Sequence, residues 1–256
     1  MRVPTGDDDM REKTILVTGG GSGIGLEFAR EFAKKKNTVI ICGRDGAKLN
    51  QAAKSHGLIA IQGDITQSAD QERILNEISQ RYDHLDLLIN NAGILEPYDF
   101  ASDPEALEKI EAEIAINAIA PLTLTRRALP VLLNGSDPAV LFIGSAIAFV
   151  ANAGTPVYSG TKALIHHSAQ ALRHQFKDIG VSVYEAMPPV VVTEMANKLK
   201  SGNFKKVKPE DLVQEVIRAM EREQYEIVIG QGKQIKFVSR IAPNFLFRQF
   251  AKTEFH

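Results

Sequence analysis

Residues 14–25, TILVTGGGSGIG, decide the fold: a short apolar run meets a cluster of glycines, and a helical pattern follows at once. Glycines at this place allow a tight turn and bring the main chain close to a pyrophosphate group at the amino end of the next helix. The spacing T-G-x-x-x-G-x-G fits, whereas G-x-G-x-x-G fits in no register, and no G-K-[ST] follows as in a Walker P-loop. We therefore predict a dinucleotide-binding turn with contacts from Gly19, Ser22, Gly23, Ile24 and Gly25.

Short apolar runs alternate with longer helical patterns along the chain. Most of the runs are apolar throughout, which is typical of parallel strands covered on both faces. Strands that alternate with helices predict βαβ units, and right-handed crossovers then favour a doubly wound, Rossmann-like sheet. We predict one α/β domain with a parallel sheet of about seven strands and helices on both faces. The predicted strands are 14–18, 38–42, 58–62, 85–90, 139–144, 181–186 and 226–230, and the predicted helices are 23–35, 45–55, 68–81, 103–133, 156–178 and 209–223.

Composition limits the class of protein. The 256 residues have a formal net charge of −1, whereas a nucleic-acid-binding domain is usually basic, so we predict no nucleic-acid partner. The single cysteine, Cys42, cannot form an internal disulfide. No apolar run approaches the roughly 20 residues of a membrane span, and the polar beginning lacks the apolar core of a signal peptide. We expect a cytoplasmic protein in which residues 1–11 form a flexible extension and residues 12–256 a single domain.

The end of the second predicted strand indicates which dinucleotide binds. An NAD-binding turn usually has an acidic residue about 20 positions after the glycines, and that acid holds the ribose 2′-hydroxyl. Here Gly43 stands where we expect the acid, and Arg44 follows it. Because a guanidinium matches a phosphate with two hydrogen bonds, we predict that NADP(H) is preferred. NAD(H) is the alternative, since Asp45 could hold the ribose if the strand ended one residue later; Asp45 could equally cap the next helix.

Tyr158 and Lys162 are four residues apart in YSGTK and share one face of a predicted helix. A positive charge beside the phenol favours the phenolate and lowers its pKa from a free value of about 10. Ser145, after the fifth predicted strand, could polarise a carbonyl. The pair alone could be a surface contact, but together with a dinucleotide turn it predicts proton transfer coupled to hydride transfer. His166 and the adjacent His167 point in different directions on a helix, so we predict no metal site.

These residues together resemble the short-chain dehydrogenase/reductase family, and the resemblance covers nearly the whole chain. The family usually has glycine where this chain has Pro189, which removes a main-chain N–H and fixes φ. The resemblance implies a catalytic tetrad of Asn117, Ser145, Tyr158 and Lys162. It implies cofactor contacts from Asp64 and Ile65 in GDIT, from Asn91, Ala92 and Gly93 in NNAG, from Tyr158 and Lys162, and from Pro188, Val191 and Thr193 in MPPVVVTEM.

The resemblance also implies a reaction. A hydride would pass between nicotinamide and a carbonyl or alcohol substrate, while Tyr158 exchanges the proton on the substrate oxygen. Lys162 would also hold the nicotinamide ribose hydroxyls, and Ser145 would hydrogen-bond the developing alkoxide. Asn117 would anchor a water that links Lys162 to solvent. The alternative is a non-catalytic NADP-binding sensor or scaffold on the same fold.

Subunit contacts are expected from the same resemblance, as a homodimer or homotetramer formed through the helices around 103–133 and 156–178. Within the family, PPVVVTEM and the ending IAPNFLFRQF look most like the DltE-type oxidoreductases. Residues 194–210 lie where the family has its mobile substrate lid; their lysines either attract an anionic substrate or belong to a solvated loop. The basic and aromatic segment 233–252 is expected to pack on the protein or on a partner subunit. Peripheral membrane contact is the alternative for that segment.

Overall fold

The computed structural model describes residues 10–198 and 206–251. These described residues form a seven-stranded, wholly parallel sheet in the order β3-β2-β1-β4-β5-β6-β7. The predicted doubly wound α/β sheet is confirmed, and each strand lies inside its predicted range or extends one residue beyond it. The strands are β1 Thr14–Thr18, β2 Thr38–Gly43, β3 Ile59–Gln62, β4 Leu87–Asn90, β5 Ala139–Ile143, β6 Ser182–Met187 and β7 Glu226–Val228.

The predicted helices are present with an interruption in the region 103–133, and the structure adds two helices that were not predicted, Gly232–Ile241 and Pro243–Ala251. In the region 103–133, two α-helices are joined by the π-helical turn Ala115–Ile119, which contains Asn117. Pro121, at the start of the second helix, has no N–H to continue a regular ladder. The helices are α1 Gly23–Lys34, α2 Gly46–His56, α3 Ser68–Tyr82, α4 Ala106–Ile114, α5 Ala120–Leu132, α6 Pro156–Gln175, α7 Pro209–Glu221, α8 Gly232–Ile241 and α9 Pro243–Ala251.

The sheet is buried on both faces. Successive side chains of a strand point to opposite faces, so Ile15 and Val17 of β1 pack into one apolar cluster and Leu16 into the other. The first cluster includes Phe28 and Phe32 of α1, and both rings are fully buried. Burying apolar area on both faces accounts for the continuous apolar runs in the sequence, because the side chains of the central strands are covered on both sides.

The glycine turn after β1 is shaped by contacts that leave no room for side chains. Gly19 has φ +64°, in the left-handed region that favours glycine. A Cβ on Gly25 would lie 2.4 Å from both the Asn91 side-chain nitrogen and the Gly19 carbonyl oxygen. A Cβ on Gly20 would lie 2.5 Å from Ile41 of β2. The turn therefore sits tightly between the ends of β1, β2 and β4.

Two predicted segments, the N-terminal extension and the lid, are described only in part. Residues 1–9 of the expected extension and residues 199–205 of the expected lid lie outside the described residues. Met10 packs partly against the core, and its carbonyl oxygen accepts a hydrogen bond of 2.9 Å from the Asn37 side chain. In the part of the chain that the structure describes, every helix is too short or too polar to cross a membrane.

We predict that Gly25→Ala destabilises the fold by about 1–3 kcal/mol, because the added methyl group must displace main chain and the Asn91 amide. Gly21→Ala, in the same turn, is the matched control. A Cβ there would be no closer than 3.5 Å to its nearest neighbour, so the change should stay within about 0.5 kcal/mol. Urea unfolding without added cofactor measures both, and equal midpoints for the two variants would contradict the packing argument.

Candidate active site

A cavity of about 800 Å³ runs along the carboxyl ends of the strands. Ligands bind in such crevices in doubly wound sheets, where consecutive chain connections leave toward opposite faces. Here that point lies between β1 and β4, which are neighbours in the sheet although they are not consecutive in the chain. The cavity brings together most of the predicted site residues: Gly19, Ser22, Gly23, Ile24, Arg44, Asp64, Ile65, Asn91, Ala92, Gly93, Ser145, Tyr158, Lys162, Pro188, Val191 and Thr193.

Arg44 and Asp45 have different roles at one end of this cavity. Arg44 is exposed and lines the cavity. The Asp45 carboxylate accepts a hydrogen bond of 3.0 Å from the Lys48 main-chain N–H and caps α2. Asp64, further along, accepts bonds of 2.9 and 2.8 Å from the N–H and hydroxyl of Thr66. The structure therefore supports the interpretation of Asp45 as a helix cap, and the cations that line the cavity at this end are Arg44 and Lys48.

The segment after β4 is tied to the glycine turn. The Asn91 side chain donates hydrogen bonds of 2.9 and 3.3 Å to the carbonyl oxygens of Thr18 and Gly19. The Thr18 hydroxyl accepts bonds from the main-chain N–H groups of Asn91 and Ala92, at 2.9 and 3.0 Å. Asn91 thus holds the floor of the cavity in shape as well as lining it.

Ser145, Tyr158 and Lys162 meet at the other end of the cavity. Ser145 follows β5 and begins the short 3-10 helix Ala146–Phe149, whose Ile147 N–H donates to its hydroxyl oxygen at 3.3 Å. Its side chain also hydrogen-bonds the Tyr158 phenol. Lys162 is buried; its ammonium donates a 2.9 Å bond to the Ile143 carbonyl and lies 5.6 Å from the centre of the Tyr158 ring. The predicted helical neighbours therefore face one space with the serine.

Burial has the largest effect on the pKa values of Tyr158 and Lys162. It raises the pKa of Tyr158 to about 12, although the hydrogen bond from Ser145 acts in the opposite direction. Burial also lowers the pKa of Lys162 to about 8, while the charge of Glu185 acts to raise it. The pKa of Tyr158 is therefore raised and not lowered as expected, because desolvation of the phenolate outweighs the hydrogen bond from Ser145.

Two predicted site residues, Gly25 and Asn117, do not line the cavity. Gly25 packs beneath the glycine turn. Asn117 is buried in the π-helical turn, where its side-chain oxygen accepts a 2.9 Å bond from the Ile94 N–H and its nitrogen donates a 2.8 Å bond to the Ile94 carbonyl. A Cβ on Gly93 would lie 2.8 Å from that same oxygen. The Asn117 side chain therefore fixes the loop after β4.

The cavity has a wall that the sequence does not assign to the site. Gln231, Ile235 and Phe250 line it from the C-terminal helices and the residue before them. The amphipathic pattern of segment 233–252 shows that one face is apolar but not what that face covers. Phe237, Ile241, Phe245 and Phe247 of the same helices are exposed. The segment therefore both closes the cavity and carries an exposed apolar surface.

A parallel sheet with a glycine turn at its switch point, facing a Ser–Tyr–Lys group across one cavity, defines a Rossmann-like oxidoreductase. Sequence comparison agrees, since the short chain dehydrogenase family profile matches residues 13–203. The uncharacterized oxidoreductase DltE of Bacillus subtilis is 32% identical over 249 residues, which are 96% of this chain and 99% of that protein. An uncharacterized oxidoreductase of Staphylococcus saprophyticus is 27% identical over 84% of this chain and 93% of its own. The chain belongs to the short-chain dehydrogenase family.

Solved structures show the same fold. A short chain dehydrogenase from Burkholderia cenocepacia, in complex with NADP, superposes with a TM-score of 0.82 at 23% identity, over 94% of this chain and 98% of the other. A member from Burkholderia phymatum, in complex with NAD, gives a TM-score of 0.81 at 15% identity, over 96% of this chain and 98% of the other. The resemblance read from the motifs, including the DltE-type ending, is thereby confirmed at the level of family and fold.

Proposed function

We propose that this chain is an NADP(H)-dependent oxidoreductase that interconverts carbonyl and alcohol groups. The observation that carries the proposal is the meeting of the Ser145 hydroxyl, the Tyr158 phenol and the Lys162 ammonium at one end of a cavity whose other end has the glycine turn and Arg44. Such a cavity suits a long ligand whose phosphates lie on the turn and whose reactive end meets a proton donor. Consumption of NADPH with a panel of aldehydes, ketones and quinones is the direct assay.

The residues of the cavity fit a dinucleotide. The turn offers main chain without side chains at the amino end of α1, where anions bind favourably. Arg44 adds a cation suited to a 2′-phosphate, and Asp45 is engaged in capping α2. The cavity of about 800 Å³ lies within the range of roughly 300–1,000 Å³ typical of small-molecule sites. These features support NADP(H) over NAD(H).

The chemistry of the chain's own residues is proton transfer and charge stabilisation. A bound nicotinamide supplies or accepts the hydride. Because burial keeps Tyr158 a phenol at neutral pH, its hydroxyl is ready to protonate a carbonyl oxygen in the reductive direction. Ser145 can donate a hydrogen bond to that oxygen and stabilise the charge it develops. In the oxidative direction the phenolate is needed, and the adjacent Lys162 ammonium supplies positive charge that favours it.

Self-association is part of the proposal. Large apolar side chains are exposed on the helices that the resemblance assigns to subunit contacts: Leu107 and Ile114 on α4, Ile119 in the π-helical turn, and Leu164 on α6. An exposed apolar surface of this kind is typical of subunit interfaces. It supports a homodimer or homotetramer that buries α4 and α6.

We predict that Tyr158→Phe lowers kcat by about 10²- to 10⁴-fold because the proton donor is lost while the ring remains. Binding of NADPH, measured by fluorescence titration, should change little. Tyr82→Phe, at the end of α3, is the control and should retain full turnover. Substantial reductase activity in Tyr158→Phe would overturn the proposed role. A wild-type protein that binds NADPH but turns over no carbonyl or alcohol would favour the sensor alternative.

For the cofactor, we predict that Arg44→Ala lowers kcat/KM with NADPH by about 10- to 100-fold, the effect of losing charged hydrogen bonds to a phosphate. The value with NADH should stay nearly constant. Asp45→Asn, which keeps a capping oxygen, is the control and should leave the NADPH/NADH ratio near the wild-type value. A wild-type preference for NADH, or loss of NADH activity in Asp45→Asn, would contradict the assignment.

For the C-terminal wall, we predict that Phe250→Ala raises KM for the larger carbonyl substrates several-fold because an apolar side chain of the cavity is lost. Phe237→Ala, on the exposed side of α8, should leave KM unchanged. Equal kinetics for the two variants would show that the wall is not part of the substrate site.

Co-sedimentation with anionic vesicles tests the membrane alternative, which requires that Phe237→Ala reduces binding of the protein to the vesicles.

A further inference from the structure

A carboxylate and an imidazole form a buried pair behind the catalytic helix. Glu185, on β6, has no exposed surface, and one of its carboxylate oxygens is 2.7 Å from Nδ1 of His166. His166 lies on α6 one turn after Lys162 and is also buried. Gln170, one further turn on, contacts the other ring nitrogen of His166 at 3.3 Å. Lys162, His166 and Gln170 thus follow one another along one face of α6, and Glu185 of β6 contacts that face at His166.

The second oxygen of Glu185 points toward the catalytic loop. Among the described residues it has no hydrogen-bond partner. It lies 2.5 Å from where a Cβ of Gly144 would stand, so that glycine is what makes room for it. Gly144 separates Ser145 from Ile143, and the Ile143 carbonyl accepts the bond from the Lys162 ammonium. One unpaired anionic oxygen therefore lies against the main chain that connects Ser145 to the lysine.

A purely structural role explains this arrangement poorly. Removing a carboxylate from water costs free energy, which is recovered only when its oxygens are all well paired. Here one oxygen is paired with His166 and the other is not. The buried Lys162 ammonium faces the same cost, and it donates its hydrogen bond of 2.9 Å to a neutral carbonyl, that of Ile143. Opposite charges in a desolvated space interact strongly, so each charge offsets the cost of the other.

We propose that Glu185, held in place by His166, is a positioning residue for Lys162: its negative charge keeps the catalytic ammonium protonated and directed at the Ile143 carbonyl and the Tyr158 ring. The proposal rests on the proposed function, since it concerns the lysine of that same site. The direction of the pKa effect agrees, because Glu185 raises the pKa that burial lowers.

Other charged groups also face the pair. Glu185 interacts with Arg173 of α6 and with Lys236 of α8, in addition to Lys162. Lys236 forms an ion pair with Glu226 of β7, the residue in register with Glu185. Arg173 donates hydrogen bonds to the carbonyl oxygens of Val183 and Tyr225.

Burial and the charge of Glu113 raise the pKa of Tyr158. The effect of Glu185 on the pKa of Lys162 is therefore distinct from the effects that raise the pKa of the phenol.

The test is the pH dependence of kcat for carbonyl reduction in Glu185→Gln, a nearly isosteric change that removes the charge. Proton donation to the carbonyl leaves Tyr158 as a phenolate, which the Lys162 ammonium stabilises, so reduction slows as pH rises through the lysine pKa. Losing the carboxylate lowers that pKa, so the alkaline limb should move to lower pH by about one unit. At pH 9 the variant should be about tenfold slower, relative to its own plateau, than the wild type.

Controls separate charge from folding. Glu27→Gln removes another buried carboxylate, paired with Arg30 on α1, and should lower the melting temperature without moving the pH profile. His166→Leu removes the partner of the carboxylate and should move the alkaline limb in the same direction as Glu185→Gln. The double variant Glu185→Gln, His166→Leu should shift the limb no further than Glu185→Gln. Should Glu185→Gln fail to fold, the profile of His166→Leu decides the question.

An unchanged pH profile in the folded Glu185→Gln variant would overturn the inference and leave the pair a structural one. That result differs from failure of the proposed function. In the latter case the wild type reduces no carbonyl, or Tyr158→Phe remains active, and no profile of this kind exists.

Discussion

The candidate active site depends on the link between the Asn91 side chain and the glycine turn. Its amide donates to the carbonyl oxygens of Thr18 and Gly19, which joins the end of β1 to the segment after β4 at the point where the sheet order changes direction. The crevice of a doubly wound sheet opens at that point. Since a Cβ on Gly25 would occupy the position of the Asn91 amide, the glycine and the asparagine are needed together. The cavity keeps its shape because these main-chain segments touch.

A second constraint is the free-energy cost of burying charged groups away from water. Lys162 is desolvated, which lowers its pKa to about 8, and Tyr158 is held as a phenol by the same burial. Such perturbed groups cluster at functional sites because catalysis needs them in a defined protonation state. The Glu185–His166 pair behind α6 belongs to this balance. Tyr158 and Lys162 at the cavity and Glu185 and His166 behind them therefore share one desolvated environment, which extends from the cavity surface to strand β6.

Much of the fold and of the site could be predicted from the sequence, because both follow from local patterns. Apolar runs gave the strands within about two residues at each end, and T-G-x-x-x-G-x-G located the turn. What the sequence could not show depends on long-range contacts. A π-helical turn interrupts the predicted helix over 103–133, and the Asn117 side chain within it bonds the main chain of Ile94. The acidity of Tyr158 was predicted from one neighbouring charge, whereas the burial that decides it comes from many distant residues.

Taken by itself, the sequence determined the parallel α/β sheet, the glycine turn, the Tyr–Lys spacing and the family, since each depends on the order and periodicity of residues along the chain. Only the tertiary structure decided that Phe250 walls the cavity and that Glu185 meets His166 behind Lys162. The physical reason is that these contacts join residues from different elements. Their distances and desolvation exist only after the elements have packed.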